Sequence, residues 1–419
     1  MKPKSVTSRE FAVQVVRTLV HAGHIAYWAG GCVRDQLLNH TPKDYDVATN
    51  ATPEQVREIF GHRRTLPIGQ AFGVITVLGP ETVAAVEVAT FRSESSYGDG
   101  RHPDEVAFTD AREDAQRRDF TINGLFYDPL TDELHDFVGG KEDLHNGIIR
   151  AIGDASERIA EDKLRMLRAV RFSATFGFQL ESNCLQTIRR HAAQIHTVSA
   201  ERITVEMRRM LSHRSRATAV ELLMESRLLA EILPESPLSF ADGQAQAAIF
   251  SAIRHLPESA SFAQAISILL NDRPGRAGVD VVERFAARWK LANSDRREVA
   301  HLCAAIPIVV QATERSWPSA QRVLAKTGPD GLLQVARAIV FANQLDSSGI
   351  DLCGREVQKP RTQWDPSPLL DGNQLSDLGI PVGPKMGRLL DCLRDAQLLG
   401  EVRSADDARK WILEQVTRK

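Results

Sequence analysis

Two aspartates separated by one residue, Asp44 and Asp46, constrain the fold of this chain more than any other feature. They lie in the segment WAGGCVRDQLLNHTPKDYDVAT, residues 28–49, which has the pattern of a strand or turn, a short helix and a second strand. Side chains two residues apart project from the same face of a strand, so the spacing predicts that both carboxylates converge on one point. Two converging carboxylates need a cation.

A pair of glycines, Gly30 and Gly31, precedes the aspartates in the same segment. Glycine lets the backbone approach a ligand closely, and the helix that begins here would present free N–H groups to an anion. A glycine turn for phosphates beside carboxylates for a metal predicts metal-assisted phosphoryl chemistry.

The rest of the first 150 residues alternates between helix and strand patterns. Apolar residues at helical spacing predict an amphipathic helix over residues 8–22, and short strands are predicted at 25–29 and 45–48. Thr52 is a predicted cap for a helix with the sequence PEQVREIF. From Ile159 the chain has helical patterns almost to its end, so the sequence predicts an α+β fold with a small mixed sheet followed by helices.

Glu87 lies in the second of two β-rich runs that are separated by Gly79 and Pro80 and predict an antiparallel pair. Its neighbours two residues away along the predicted strand are Ala85 and Ala89. Two interpretations are open: an exposed glutamate on a strand, or a third carboxylate that faces the metal. The second interpretation makes Glu87 a candidate catalytic residue.

The segment RRDFTING begins with Arg117, Arg118 and Asp119 and contains Asn123. A run of charges is often one solvated face of a helix. Two adjacent arginines beside a metal site could instead hold triphosphate oxygens with two hydrogen bonds each.

A row of charged residues at intervals of three follows in the helical region: Asp162, Arg165, Arg168 and Arg171. Successive members of such a row fall on one slowly rotating helical face. Asp162 offers acceptors and Arg165 a forked donor, which together can match the edge of a nucleobase. The alternative is an intrahelical Asp–Arg pair that contributes about 0.2–0.5 kcal/mol.

The charge of the chain restricts where nucleic acid could bind. The net charge is only −2, so a binding surface would have to be a local patch. Residues 163–217 provide one, with 11 Lys and Arg against 3 Asp and Glu. The five cysteines contain no CxxC pair, which argues against a zinc site or a disulfide framework and fits the cytoplasm. No apolar run reaches the roughly 20 residues that cross a membrane.

The motifs GGCVRD, DYD, RRDFTING and EDKLRMLRAVRF together resemble those of the class II tRNA nucleotidyltransferase and poly(A) polymerase family, which is related to DNA polymerase β. The resemblance covers about the first 235 residues, and DGNQLSDLGIPVGPKMG is similar to the tail of bacterial CCA-adding enzymes. It implies a polymerase-β-like head with a small mixed sheet, then an all-α neck, body and tail. The expected boundaries are 1–150 for the head, 151–236 for the neck, 237–355 for the body and 356–419 for the tail.

The resemblance also implies roles for the candidate residues. Two magnesium ions would be held by Asp44 and Asp46, and the 2′-hydroxyl of the ribose would be recognised through the motif of Asp119 and Asn123. The remaining nucleotide-binding candidates are Gly30, Gly31, Arg34, Arg118, Asp162, Arg165, Arg168 and Arg171.

The expected reaction is template-independent addition of CCA to tRNA 3′ ends from CTP and ATP, with release of pyrophosphate. Enzymes that add only A, to tRNA or as poly(A) tails, are close alternatives, and a non-catalytic RNA-binding protein is an alternative of another class. Addition of CC alone is disfavoured because the loop at residues 92–105 is present. The expected partners are tRNA, CTP and ATP, with no membrane and no obligatory protein partner.

Overall fold

The computed structural model describes residues 6–81, 83–95, 105–240, 243–271, 274 and 277–417. The middle of the predicted loop, residues 96–104, therefore lies outside the described residues. The chain divides into two compact units: residues up to 210 with 218–232, and residues 211–217 with 233–419. The four expected domain boundaries stay predictions.

The first unit is built on a mixed sheet, for which seven strands can be traced in the described residues, in the order β3-β4-β5-β2-β1-β8-β9. Strands β2 and β5 run parallel, and the other neighbours are antiparallel. Strands β6 and β7 form a separate antiparallel pair, and β10 and β11 a short parallel pair. The strands are β1 (Ala26–Ala29), β2 (Asp46–Thr49), β3 (Thr65–Leu66), β4 (Val74–Val77), β5 (Val86–Thr90), β6 (Arg92–Ser95), β7 (Glu105–Phe108), β8 (Leu125–Asp128), β9 (Glu133–Asp136), β10 (Ile148–Ile149) and β11 (Gln179–Leu180).

Helices cover this sheet and continue beyond it. Up to residue 232 they are α1 (Ser8–His21), α2 (Gly31–Leu37), α3 (Pro53–Phe60), α4 (Ala111–Gln116), α5 (Gly140–Asn146), α6 (Ala155–Glu161), α7 (Leu164–Phe176), α8 (Ser182–His191), α9 (Ala200–Leu211), α10 (Arg216–Glu225) and α11 (Leu228–Ile232).

The sequence explains why the first helices begin where they do. Thr7 and Glu10 form a capping box at the start of α1, and Thr52 and Gln55 form another at α3, ahead of Pro53 in its first turn. The apolar stripe of α1 is buried, and the helix packs against β1 and β2. The predicted mixed sheet and the antiparallel pair on either side of Gly79 are confirmed.

The second unit is helical throughout the described residues. Its helices beyond residue 232 are α12 (Gly243–His255), α13 (Phe262–Leu269), α14 (Val279–Arg288), α15 (Asn293–Val310), α16 (Trp317–Thr327), α17 (Pro329–Ala342), α18 (Ser348–Val357), α19 (Arg361–Trp364), α20 (Gly372–Asp377), α21 (Pro384–Leu398) and α22 (Ala405–Thr417). A small apolar core of its own, centred on Leu375 and Ile412, joins the last three helices. The α+β fold class is confirmed.

Two local predictions were wrong. Strand β2 begins at Asp46, so Asp44 lies in the bend before the strand and not on it. The helix predicted through Asp162 is interrupted, because Asp162 has extended backbone angles between α6 and α7 and its carboxylate accepts a hydrogen bond from the Leu164 N–H. This is how an aspartate caps a new helix.

No helix in the described part of the chain combines the length and the apolar character needed to span a bilayer.

Candidate active site

A cleft of about 450 Å³ in the first unit contains most of the predicted site residues. It is lined by Gly30, Gly31, Arg34, Asp46, Arg117, Arg118, Asp119, Asn123, Asp162, Leu164, Arg165, Arg168, Arg171, Phe172 and Arg202. Asp44 and Glu87 do not line it. The fold therefore brings predicted residues that are up to 141 positions apart in the chain to one cavity.

The glycine turn lies at one end of the cleft, where β1 leads into α2. Gly30 has φ 70° and ψ −122°, and a Cβ atom on it would lie 2.7 Å from Nη1 of Arg118. Only glycine accepts both this backbone conformation and this close approach. One turn into α2, the buried guanidinium of Arg34 donates from Nη1 to Oδ1 of Asn123 at 2.6 Å and from Nη2 to Oδ1 of Asp35 at 2.6 Å.

The register of the two parallel strands places Asp46 of β2 directly beside Glu87 of β5. The pKa of Asp46 is raised to about 6, first because burial disfavours the charged form and then because Glu87 and Asp44 repel it, while Arg118 acts in the opposite direction. Glu87 is exposed. The structure thus brings the three carboxylates close enough to interact, although within the described ranges no three His, Cys, Asp or Glu side chains are grouped tightly enough to hold a metal ion.

The adjacent arginines of the RRD motif share a carboxylate that the sequence analysis did not identify. Asp114 on α4 is 1% exposed and forms ion pairs with Arg117 at 2.8 Å and Arg118 at 2.9 Å. Although desolvation opposes it, these two arginines hold the pKa of Asp114 below its usual value. Nη1 of Arg118 also donates to the Asn123 carbonyl at 3.3 Å. The interpretation of these arginines as a merely solvated face is therefore wrong.

Asp119 uses both carboxylate oxygens within the protein. Oδ1 accepts from the N–H of Phe120 and from Nδ2 of Asn123, and Oδ2 accepts from Nε of Arg168 at 2.8 Å and from its Nη2 at 2.5 Å. Burial alone would raise the pKa of Asp119, but Arg168 and the Asn123 amide lower it to about 2. Asp119 is therefore ionised at neutral pH and fixes both Asn123 and Arg168.

Asp162 and Arg165 both line the cleft, but they do not pair with each other. Asp162 binds Nη2 of Arg202 at 2.7 Å, and Nη1 of Arg165 binds Glu161 at 2.6 Å. The predicted alternative of an intrahelical Asp162–Arg165 pair is wrong. Arg202 was missed by the sequence analysis, because it comes from α9, 40 residues further along the chain.

Arg171 and Phe172 complete the wall formed by α7. Nε of Arg171 binds the buried Glu206 of α9 at 2.5 Å. The Phe172 ring lies under three guanidinium groups, those of Arg171 at 4.1 Å and of Arg34 and Arg168 at 5.3 Å each. These cation–π contacts supply a second reason why the arginines stay ordered in the cleft.

Comparisons with known proteins agree with this description. Residues 26–150 match the model of the poly A polymerase head domain, and residues 177–238 match that of the probable RNA and SrmB-binding site of polymerase A. The first unit thus carries a nucleotidyltransferase head, a class of domain that generally uses divalent metal ions.

The similarity to individual proteins extends over nearly the whole chain. The CCA-adding enzyme of Lactobacillus johnsonii is 31% identical over 399 residues, which cover 95% of this chain and 95% of that protein. The CCA-adding enzyme of Bacillus subtilis is 40% identical over 222 residues, covering 53% of this chain and 55% of that protein. The crystal structure of the Bacillus stearothermophilus CCA-adding enzyme in complex with CTP has a TM-score of 0.75 and 28% identity, and the match covers 100% of this chain and 99% of that one. The chain belongs to the family of CCA-adding enzymes, and the predicted family membership is confirmed.

Proposed function

We propose that this protein adds C, C and A to the 3′ ends of tRNA from CTP and ATP, releasing pyrophosphate, without a nucleic-acid template. One observation carries the proposal. A single cleft contains the Asp46 carboxylate and the glycine turn of Gly30 and Gly31. The same cleft contains a hydrogen-bond acceptor, Asp162, and a forked donor, Arg165, which can bind a nucleobase. The relatives that match nearly the whole chain are CCA-adding enzymes.

We propose that two magnesium ions are held by Asp44 and Asp46, with Glu87 as a catalytic carboxylate beside them. The donors fit in kind, because magnesium prefers carboxylate oxygens and a nearby cation would relieve the repulsion at Asp46. Magnesium is usually held by only one or two protein carboxylates together with substrate phosphates and water, so a pair of aspartates is sufficient without a third protein ligand. When bound, magnesium lowers the pKa of the primer 3′-hydroxyl and neutralises charge on the departing pyrophosphate.

The residues of the chain bind and orient the nucleotide. Gly30 and Gly31 let the triphosphate approach the backbone, and Arg34 and Arg118 supply positive charge there. A carboxylate has about four acceptor positions, and the four hydrogen bonds already made by Asp119 fill them. A ribose hydroxyl therefore binds at this motif by replacing one of these bonds, or by contacting Asn123.

Base selection rests on Asp162 and Arg165. Asp162 accepts one bond on each oxygen, from Leu164 N and from Arg202, so acceptor capacity remains for the exocyclic amine of C or A. Arg165 donates from Nη1 and Nη2 to the protein, and Nε stays available for a ring acceptor. G and U offer the wrong groups at these points, and each buried polar group left unpaired costs about 1–3 kcal/mol. Arg168 and Arg171 supply further positive charge to the nucleotide.

The basic helices after the head are one proposed binding surface for tRNA, and the tail at 356–419 is another. The excess of basic residues between 163 and 217 supports this role, because phosphate contacts dominate RNA affinity. We place the protein in the cytoplasm, consistent with five cysteines that are all free.

The test is the sequence of the product on a tRNA transcript that lacks CCA. CTP alone should add two residues, ATP alone should add none, and both together should restore CCA. An Asp44→Ala, Asp46→Ala variant should bind the same tRNA without extending it. Incorporation of ATP but never CTP would replace the proposal with A addition or poly(A) synthesis, and extension by the double variant would remove both aspartates from the reaction.

A further inference from the structure

Asp114 lies behind the two adjacent arginines of the cleft. Its Oδ1 accepts from Nε of Arg117 at 2.8 Å and its Oδ2 from Nε of Arg118 at 3.2 Å, and each guanidinium adds an ion pair through Nη2, at 2.8 and 2.9 Å. Each carboxylate oxygen thus takes the side edge of one guanidinium. A two-point contact to a planar group fixes the orientation of that group as well as its position.

The Arg118 guanidinium is held from further directions. Its Nη1 donates to the Asn123 carbonyl at 3.3 Å, and its central carbon lies 4.9 Å from the centre of the Phe126 ring. The same Nη1 lies 2.7 Å from the point where Gly30 would carry a Cβ atom. Arg118 is therefore fixed beside the glycine turn, and it lines the cleft.

The Asp114 carboxylate also reduces the electrostatic repulsion between Arg117 and Arg118. Two adjacent guanidinium groups repel each other, and a buried carboxylate between them cancels one of the two positive charges. Asp114 also accepts from the backbone N–H of Arg92 at 3.3 Å, which joins the pair to the start of β6. Asp114 thus ties the arginine pair at the end of α4 to the start of β6.

We propose that Asp114 is a positioning residue for nucleoside triphosphates, which acts through Arg117 and Arg118, and that Arg117 contacts the triphosphate together with Arg118. This inference rests on the proposed function, because it needs Arg118 to bind phosphate oxygens. Asp114 itself touches no substrate.

Two effects of removing the Asp114 charge have opposite signs, and this makes the test sharp. If only net charge mattered, Asp114→Asn would make the cleft more positive and bind CTP more tightly. If positioning matters, the variant binds CTP about 10- to 100-fold more weakly, as is typical when a residue that orients a binding group is lost. The measurement is the equilibrium Kd of CTP without tRNA, followed by KM for CTP and for ATP. Both KM values should rise by the same factor with the ratio of C to A addition unchanged, because the base edge is not involved.

Glu235 provides a matched control in the second unit, outside the tail. One oxygen of its carboxylate, which is 5% exposed, also accepts from the side edge of a guanidinium, from Nε of Arg288 at 3.1 Å and from its Nη2 at 2.8 Å. Glu235→Gln should leave the CTP Kd unchanged. A similar loss in both variants would mean that any broken arginine pair weakens the protein, and would overturn the proposal.

Variants of the two arginines distinguish the positioning role of Asp114 from the proposed phosphate-binding role of Arg118. In a background with Arg117→Ala and Arg118→Ala, adding Asp114→Asn should change the CTP Kd by less than about threefold, because the groups through which it acts are absent. If Asp114→Asn does not fold, Asp114→Glu keeps the charge, displaces the carboxylate by one methylene and should give a smaller loss of affinity. Normal CTP binding by Arg118→Ala would contradict the proposed role of Arg118. Weak binding by Arg118→Ala with normal or tighter binding by Asp114→Asn would overturn the positioning role alone.

Discussion

Replacing Gly30 by alanine tests whether the glycine turn and Arg118 form one site. Gly30 has φ 70°, and a Cβ atom there would lie 2.7 Å from Nη1 of Arg118. The substitution adds a single methyl group and changes no charge. Its effect therefore reports geometry alone.

The size of the effect follows from these distances. Ordinary carbon–nitrogen contact begins near 3.4 Å, so Arg118 or the turn must shift by about 0.7 Å. Arg118 cannot rotate away freely, because Asp114, the Asn123 carbonyl and the Phe126 ring hold it. A misplacement of about 1 Å in a site can cost about 100-fold, so we expect kcat/KM for CTP to fall by about 10- to 100-fold. The strained backbone costs a further 1–3 kcal/mol of folding stability, roughly.

A control variant at Gly153 distinguishes the effect of backbone strain from the effect of displacing Arg118. Gly153 has the same φ of 70°, lies in the same unit, and a Cβ atom on it would meet no atom within 4 Å. Gly153→Ala should lower the thermal unfolding midpoint in the same direction as Gly30→Ala while leaving kcat/KM near that of the unmodified protein. The assay is single-nucleotide addition to tRNA at several CTP concentrations, with unfolding followed by circular dichroism.

Equal kcat/KM for Gly30→Ala and Gly153→Ala would refute the reasoning. It would mean either that Arg118 does not contact the nucleotide or that the turn yields without moving it. A loss confined to kcat at unchanged KM would also count against a phosphate-binding role.

Three further predictions follow from the charged groups. The pKa of Asp46 is raised by burial and by Glu87, so its charge destabilises the metal-free folded protein at neutral pH. Asp46→Asn should therefore abolish nucleotide addition yet raise the free energy of unfolding of the metal-free protein at pH 7 by up to about 1 kcal/mol after allowance for solvent screening, a gain that disappears below pH 4. Equal unfolding midpoints of the two proteins at pH 7 would contradict this. The pKa of Asp119 is lowered to about 2 despite desolvation, because Arg168 and Asn123 bind the ionised form. At a pH above 3.8, the pKa of this group in the unfolded chain, the ionised carboxylate therefore contributes about 2 kcal/mol to the free energy of unfolding. This contribution is lost as the pH falls from 3.8 through 2. Urea unfolding of Asp119→Asn should show that deficit at pH 7 and a smaller one at pH 3. Arg202→Ala removes the 2.7 Å ion pair that orients Asp162. Incorporation of U and G relative to C should rise by roughly tenfold, which corresponds to the free energy of about one hydrogen bond to a charged group. Unchanged selectivity would exclude Arg202 from base choice.

The sequence predicted the fold class and most of the cleft because those signals are local. Asp44 and Asp46 are two residues apart, and the glycine pair and the arginine pair each occupy consecutive positions. Asp114 could have been found in the same way, because it stands three residues before Arg117 and four before Arg118, the spacing of neighbours on a helix.

Other parts of the site could not be read from periodicity. Arg202 reaches Asp162 from 40 residues away, and Arg34 reaches Asn123 across 89 residues. The interruption at Asp162 was hidden, because the row of charges at intervals of three runs from Asp162 into α7 while α6 ends directly before it. Helical spacing alone cannot separate one continuous helix from two helices joined at a capping aspartate.

The uneven charge of the cleft has a practical consequence for handling the protein. Seven arginines and three aspartates line a cavity in a chain whose overall charge is −2. Protein purified at neutral pH should therefore retain polyanions from the cell, such as nucleotides, polyphosphate and RNA fragments. We expect this even though the protein as a whole, with its small negative net charge, binds a cation exchanger only weakly. Phosphate buffer would compete with substrate in every binding measurement, so a sulfonate buffer with a high-salt wash is the better starting point.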